Sequence, residues 1–560
     1  MAEDKTKRLK DPLYGYIEIP VEYMTSIIDT AEFQRLRRIM QTSYSPLYSS
    51  AIHNRFVHSI GVFYLGEIVS KQLMKECISK RILSQEKMKE LVKIYQIACL
   101  LHDVGHAPFS HTGECFYKND DFRCDDLHTR IAELVGSESF KKELKKRNTT
   151  PTAPHELMSV IVGITNYGHM IGESGEKEFF ARCITGYLYE KGLHIKEVQI
   201  KNCLISLLNS KVIDVDRLDY LIRDAYITGY NTVSIDYYRL LMAVTVIQDK
   251  DSGQYHVAYK KDALSIIENV VYAHDAERKW IQNHPVVLYE AYIIKHIIMH
   301  LNEELNSAGK RLFSEEALSK DGLTFSDGTK VSLLCDDDII YLLKNKYLDD
   351  LGNELFHRNT RRHPIWKSEA EYQGYVGELA SGGTVKDIFN GIIDGFAKGN
   401  FKDIPSFDAI NPDYIRKLEE ELGNVTAEIN KNAGKGTSGK NNSSLINNKK
   451  GIARRLAFCK TLERYATRHN LECDFVVLRT DIFNSNFSKD YLRKMIIVFK
   501  DGDNELPFEL QKVCPPLKAS EEKGQMFYIF YRNKEDKKYA RPGEIGTLCE
   551  DLFGCTHVTD

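Results

Sequence analysis

The stretch CLLHDVGHAPFSH, residues 99–111, decides how this chain is read. Upstream of it, Ile94, Ile97, Ala98 and Leu101 fall at i, i+3, i+4 and i+7, the spacing of one buried helix face. His102 and Asp103 therefore end a helix. An adjacent imidazole and carboxylate there can present a nitrogen and an oxygen to one cation. Gly105 lets the chain turn, and Pro108 discourages further helix. His106 and His111 follow on the turn or just past it. Mixed imidazole and carboxylate donors suit Fe, Mn, Zn, Ni or Co better than an all-oxygen site does. A His-Asp dipeptide alone arises by chance, so its weight depends on what surrounds it.

Three other pieces supply that context. HNRFVHS at 53–59 places His58 ahead of an amphipathic run over 63–73. Pro154-His155-Glu156 adds a second imidazole–carboxylate pair. IDVDRLDY at 213–220 runs on to Arg223 and Asp224 within a long helical pattern over 202–226. There Asp216, Tyr220 and Asp224 fall at i, i+4 and i+8, one stripe along a helix. Two acids and a phenol make a poor core face, so the stripe is expected to line a polar cavity, with a solvated face as the plain alternative. Asp219 and Arg223 form a separate i, i+4 pair that reads as structural. Helices of one bundle can bring such ligands to a shared site.

The expected fold is mainly α: a helical bundle over 1–300, a helical extension over 301–430, a flexible linker or loop over 431–450, and a smaller α+β lobe over 451–560. The linker, KNAGKGTSGKNNSSLINNKK, lacks apolar content. Strands are expected near 254–260, 474–480, 494–500 and 526–531, and a core or interface helix over 286–301. The chain has 560 residues, 42% apolar, with 76 Lys+Arg against 79 Asp+Glu. That balance argues against a generally basic nucleic-acid coat. Basic runs at 141–147 and 449–455 read as solvated faces and leave nucleic acid a weakly supported partner. With a mean hydropathy of −0.37, no apolar run and no signal peptide, the expectation is a cytoplasmic protein without a membrane partner. The 12 cysteines include no C-x-x-C pair and read as incidental thiols.

The order H…HD…D is that of the HD phosphohydrolases. The segments IIDTAEFQRLR at 27–37, HNRFVHSIGV at 53–62, CLLHDVGHAPFSH and IDVDRLDYLIRDA at 213–225 together resemble the deoxynucleoside triphosphate triphosphohydrolases. These are the vertebrate SAM-and-HD-domain enzyme and its bacterial relatives. The likeness covers about 7–300 well and continues weakly through DDDIIYLLKN at 336–345. No SAM domain is expected here.

The resemblance implies an HD-type bundle whose metal ligands are His58, His102, Asp103 and Asp216. It implies catalytic or phosphate roles for His106, His155, Glu114 and Arg55, with aspartate more usual at position 114. It implies substrate contacts from Gln41, Arg55, His111, Arg217, Tyr220 and Asp224. Where the family carries a tyrosine against the sugar's 2′ face, ungapped reading places Gln282, a departure bearing on deoxy-over-ribo selectivity. Lys7, Asp29, Gln34 and Arg37 match a nucleotide-activator site, of the kind GTP or a dNTP would fill, and the family is commonly a homotetramer. The implied reaction is hydrolysis of a nucleoside triphosphate at a divalent transition metal, with Mg2+ on the polyphosphate. Two alternatives compete: an HD phosphodiesterase or nuclease, which would not need Gln41 or the stripe, and a nucleotide-sensing or nucleic-acid-binding module.

Overall fold

Asn54 begins the first long helix, α1 (Arg55–Ser79), by accepting a hydrogen bond from the Val57 amide at 3.3 Å. Ser84 caps α2 (Gln85–Leu101) in the same way through Lys87 N. Pro154 opens α3 (Pro154–Ile171), where its missing N–H costs nothing. Asp214 caps α4 (Val215–Thr228), which ends at Gly229 with φ 71°. Helix α1 packs against α2 and α4, and α2 packs against α3. In this computed structural model the described residues are 5–43, 45–118, 123–147, 152–210, 213–230, 234–306, 310–346, 350–377, 379, 383–396, 409–433, 440–480, 495–502, 504–514, 526–534 and 541–558. The fold is mainly α, as expected. No described helix is long and apolar enough to cross a membrane. The cysteines are free thiols.

The described residues fall into two units. One takes them from Met1–Gln282, Ile298–Tyr347 and Phe483–Glu522, the other from Asn283–Ile297, Leu348–Ile482 and Lys523–Asp560. This cuts across the boundaries expected at 300 and 451. The reason lies in the sheet: strands Asn504–Glu509, Ile496–Asp501, Tyr255–Lys260 and Val244–Gln248 pair in that order, because Val498 and Ile496 pack on Ile247 and Ala258. Part of the expected C-terminal lobe is thus an edge of the first unit. The second unit holds its own three-stranded sheet, with Phe527–Tyr531 between His363–Pro364 and Val476–Arg479. The expected linker is a correction: 431–433 end one helix (Pro412–Ala433) and 440–450 begin another (Lys440–His469), while 434–439 lie outside the described residues. The expected run 202–226 is two helices, Lys196–Leu208 and α4, since the Asp214 cap starts a new one.

At the N-terminus, β1 (Thr6–Asp11) and β2 (Gly15–Pro20) form an antiparallel hairpin. Asp11 shapes its turn by accepting the Leu13 and Tyr14 amides on Oδ1, at 2.8 and 3.1 Å.

Candidate active site

Three helices converge on one cluster. His58 projects from α1, His102 and Asp103 end α2, and Asp216 stands in the first turn of α4. His58 Nε2 lies 3.0 Å from Asp216 Oδ1, 3.3 Å from His102 Nε2 and 3.6 Å from Asp103 Oδ2. His102 Nε2 lies 3.5 Å from Asp103 Oδ2 and 3.6 Å from Asp216 Oδ1. Donors ~2.1 Å from one divalent ion sit roughly 3.0–3.4 Å apart in tetrahedral or octahedral arrays. These distances fit that requirement.

The tautomers strengthen the fit. His102 Nδ1 lies 2.9 Å from the Cys99 carbonyl, to which only a protonated nitrogen can donate. His58 Nδ1 likewise donates to Asp219 Oδ2 at 2.8 Å. Nε2 of each ring is thus left to face the other ring and two carboxylates, and in the neutral ring it carries the lone pair. Such a cluster, buried except at Asp216, suits a cation.

A second cluster adjoins it. His106 is fully buried, and its ring stacks on His155 at 4.2 Å between centroids. Among the described residues neither ring nitrogen of His106 makes a hydrogen bond. Burial, then the positive Arg55, hold its pKa well below the ordinary value, so it is neutral. His155 Nδ1 meets Glu114 Oε2 at 2.5 Å. Burial opposes charge on His155, but Glu114 outweighs it and raises the pKa to about 9. His111, more exposed, lies 3.3 Å from Glu114 Oε1. Asp103 joins the clusters: Oδ2 faces His58, His102 and Arg55, while Oδ1 is 3.7 Å from His106 Nε2. Arg55 donates from Nη1 to Asp103 at 2.7 Å, from Nε to Ser110 and from Nη2 to the Gln41 carbonyl.

The other expected residues fall as follows. Gln41 is buried with Oε1 unpartnered among the described residues. Asp224 pairs with His53 at 2.7 Å, a contact the sequence reading missed. Tyr220 neighbours Arg217 on α4 and, after Asp214, favours its charge. Gln282 donates to Glu277. Gln34 and Arg37 are joined at 2.8 Å, with Arg37 also over the Phe56 ring, while Asp29 and Lys7 are exposed.

Several supporting residues carried no signal or were misread. Arg35, buried, donates to the carbonyls of Val104, His106 and Leu334, pinning the turn after the HD pair. Asp336 accepts the Met40 and Phe109 amides, and burial lifts its pKa to about 7. Gly105 was expected to ease a turn. It does lie in the turn after α2, but what requires glycine there is close approach to α3, since a Cβ would lie 2.3 Å from Met158 C, and the left-handed residues of this stretch are Phe109 and Ser110. Asp219 is not merely an ion-pair partner of Arg223: it orients a metal-ligand candidate. That geometry needs Gly61, because a Cβ would fall 1.9 Å from Asp219 Oδ1. Gly61→Ala should cost about 3–5 kcal/mol, the scale of breaking a buried ion pair. A urea unfolding midpoint equal to wild type would show that α1 and α4 separate freely.

Residues 55–194 match the family model described as HD domain. The chain carries an HD domain. The Dictyostelium discoideum protein named deoxynucleoside triphosphate triphosphohydrolase SAMHD1 homolog is 31% identical over 253 residues, covering 44% of this chain and 41% of its own. The Gallus gallus protein named deoxynucleoside triphosphate triphosphohydrolase SAMHD1 is 25% identical over 442 residues, covering 75% and 66%. The uncharacterized protein YwfO of Bacillus subtilis is 28% identical over 310 residues, covering 55% and 58%. This chain spans about half the length of the curated relatives it matches. A solved structure of a hypothetical protein from Aquifex aeolicus covers 96% of this chain and 99% of its own, with TM-score 0.50 and 17% identity, a likeness of fold alone. The HD-domain chain thus resembles deoxynucleotide triphosphatases, in line with the motifs.

Proposed function

We propose that this HD-domain chain is a metal-dependent deoxynucleoside triphosphate triphosphohydrolase, releasing the deoxynucleoside and intact triphosphate. The observation that carries the reading is the convergence of His58, His102 and Asp216, with Asp103 against both imidazoles, beside the His155–Glu114 pair. A divalent transition ion held by those four residues would supply water acidified toward neutrality and positive charge near the α-phosphate. Neutral His106, with neither nitrogen hydrogen-bonded, would take a proton from the attacking water. His155, kept charged by Glu114, would protonate the leaving 5′-oxygen as the phosphorus–oxygen bond breaks. Arg55 orients Asp103 and brings positive charge to the phosphate side. His111 and Arg217 would meet the polyphosphate, which carries Mg2+ of its own. Gln41, Tyr220 and Asp224 would hold the sugar.

Activation by GTP or a dNTP at Lys7, Asp29, Gln34 and Arg37, a homotetramer and a cytoplasmic setting belong to the same proposal. The test is product analysis. The purified chain is incubated with each dNTP and NTP, with Mn2+ or Mg2+, with and without GTP, and products are resolved by ion exchange. Inorganic triphosphate with deoxynucleoside is expected. Pyrophosphate with monophosphate, or no turnover under any condition, would reject the proposal. The ribonucleotide arms read out what Gln282 does to sugar selectivity.

A further inference from the structure

The N-terminal hairpin reaches the metal cluster through an unbroken buried network. His58, whose Nε2 faces the cluster, donates from Nδ1 to Asp219 Oδ2 at 2.8 Å. Arg223 grips the same carboxylate with two bonds, Nε to Oδ2 at 2.9 Å and Nη2 to Oδ1 at 3.0 Å. The Tyr14 hydroxyl donates to Asp219 Oδ1 at 2.7 Å. Arg223 Nη1 donates to Asp11 Oδ2 at 3.0 Å, while the other oxygen of Asp11 holds the turn amides. Asp219 is 0% exposed, Arg223 2% and Asp11 5%.

With four donors on its two oxygens, Asp219 cannot rotate, and so fixes the plane of the His58 ring. A buried ionic network of this kind is seldom the most stabilising way to fill a core, since apolar residues of like volume do as well or better. Its polar atoms are better explained by the nitrogen they end on. Outer partners of metal-bound imidazoles set ring orientation and ligand basicity. The geometry points to Tyr14 and Asp11 as positioning residues of the metal centre: the hairpin turn, more than 200 positions from Asp219 in sequence, sets how well His58 holds the ion. The inference rests on the metal-centre reading above.

Tyr14→Phe tests it with little disturbance, because the ring keeps its packing on Tyr64 and Tyr237, each 5.1 Å away. Asp11→Asn is the companion. The readouts are Co2+ affinity, by competition with a chelator, and the visible spectrum of the bound Co2+, alongside thermal melts. Both variants should bind Co2+ about tenfold more weakly, with a shifted spectrum. Affinity within about twofold of wild type and an unshifted spectrum in Tyr14→Phe would overturn the inference, whether or not the melting temperature falls. Should Asp11→Asn fail to fold, Tyr14→Phe decides alone. Wild-type protein that binds no Co2+ would overturn the metal-centre reading itself.

Discussion

Asp216→Ala is expected to strip the bound divalent ion and to lower triphosphate release by roughly a thousandfold or more. The metal's share of charge stabilisation is worth several kcal/mol, and each 1.36 kcal/mol is about a factor of ten in rate. Asp216 is a suitable target because its carboxylate lies 3.0 and 3.6 Å from the two imidazoles, yet its side chain is 42% exposed. The rest of α4 keeps its Asp214 cap and its Arg223–Asp219 clamp. Folding should therefore survive, and metal content by elemental analysis should fall with activity. Wild-type turnover in this variant would remove Asp216 from the site. Prolonged chelation of the wild-type protein should mimic the variant, and added Mn2+ should restore only the wild type.

His155→Asn should lower kcat by about 10²–10⁴-fold, the usual share of a general acid, while leaving bound metal in place. The geometry separates this from the first prediction: His155 stacks on His106 and pairs with Glu114, and none of the four ligand candidates is needed to hold it. The pH profile carries the sign. With its pKa raised to about 9, the imidazolium persists through neutrality and is lost only above that value. Wild-type kcat should fall as pH rises through about 9. In Glu114→Gln, which removes the charge that offsets burial, the alkaline limb should move toward neutral pH. An unchanged alkaline limb in Glu114→Gln, or turnover within tenfold of wild type in His155→Asn, would take the pair out of proton transfer.

The metal-ligand candidates were legible because each belongs to a short motif at a helix end or first turn, where spacing alone restricts what a side chain can reach. Asp219 shows where that reasoning stops. Its i, i+4 relation to Arg223 is real, but the same carboxylate also faces α1, and nothing in a helical period announces contact with a histidine 161 positions away. Tyr14, His53 and Asp336 act through partners equally remote in sequence, so no local pattern marks them. The stretch 440–450 misled by composition. Ser443, Ser444, Asn447 and Asn448 are exposed, but they run into the buried Ile452, Ala453 and Leu456, and the apolar face downstream carries the helix through them. The strand Ile496–Asp501 was readable, over 494–500, whereas Asn504–Glu509 was not expected. Nor was their attachment to the first unit, since it depends on Val498 meeting Ile247 and Ala258.

Asp103 spends one oxygen on the ligand cluster and turns the other toward His106. One small carboxylate is therefore common ground for two jobs that a designer would prefer to keep on separate dials. Substitutions chosen to change which ion the chain prefers will also tilt the imidazole proposed to accept a proton. Engineering of this centre is better begun at residues that touch one cluster alone, with Asp103 left untouched.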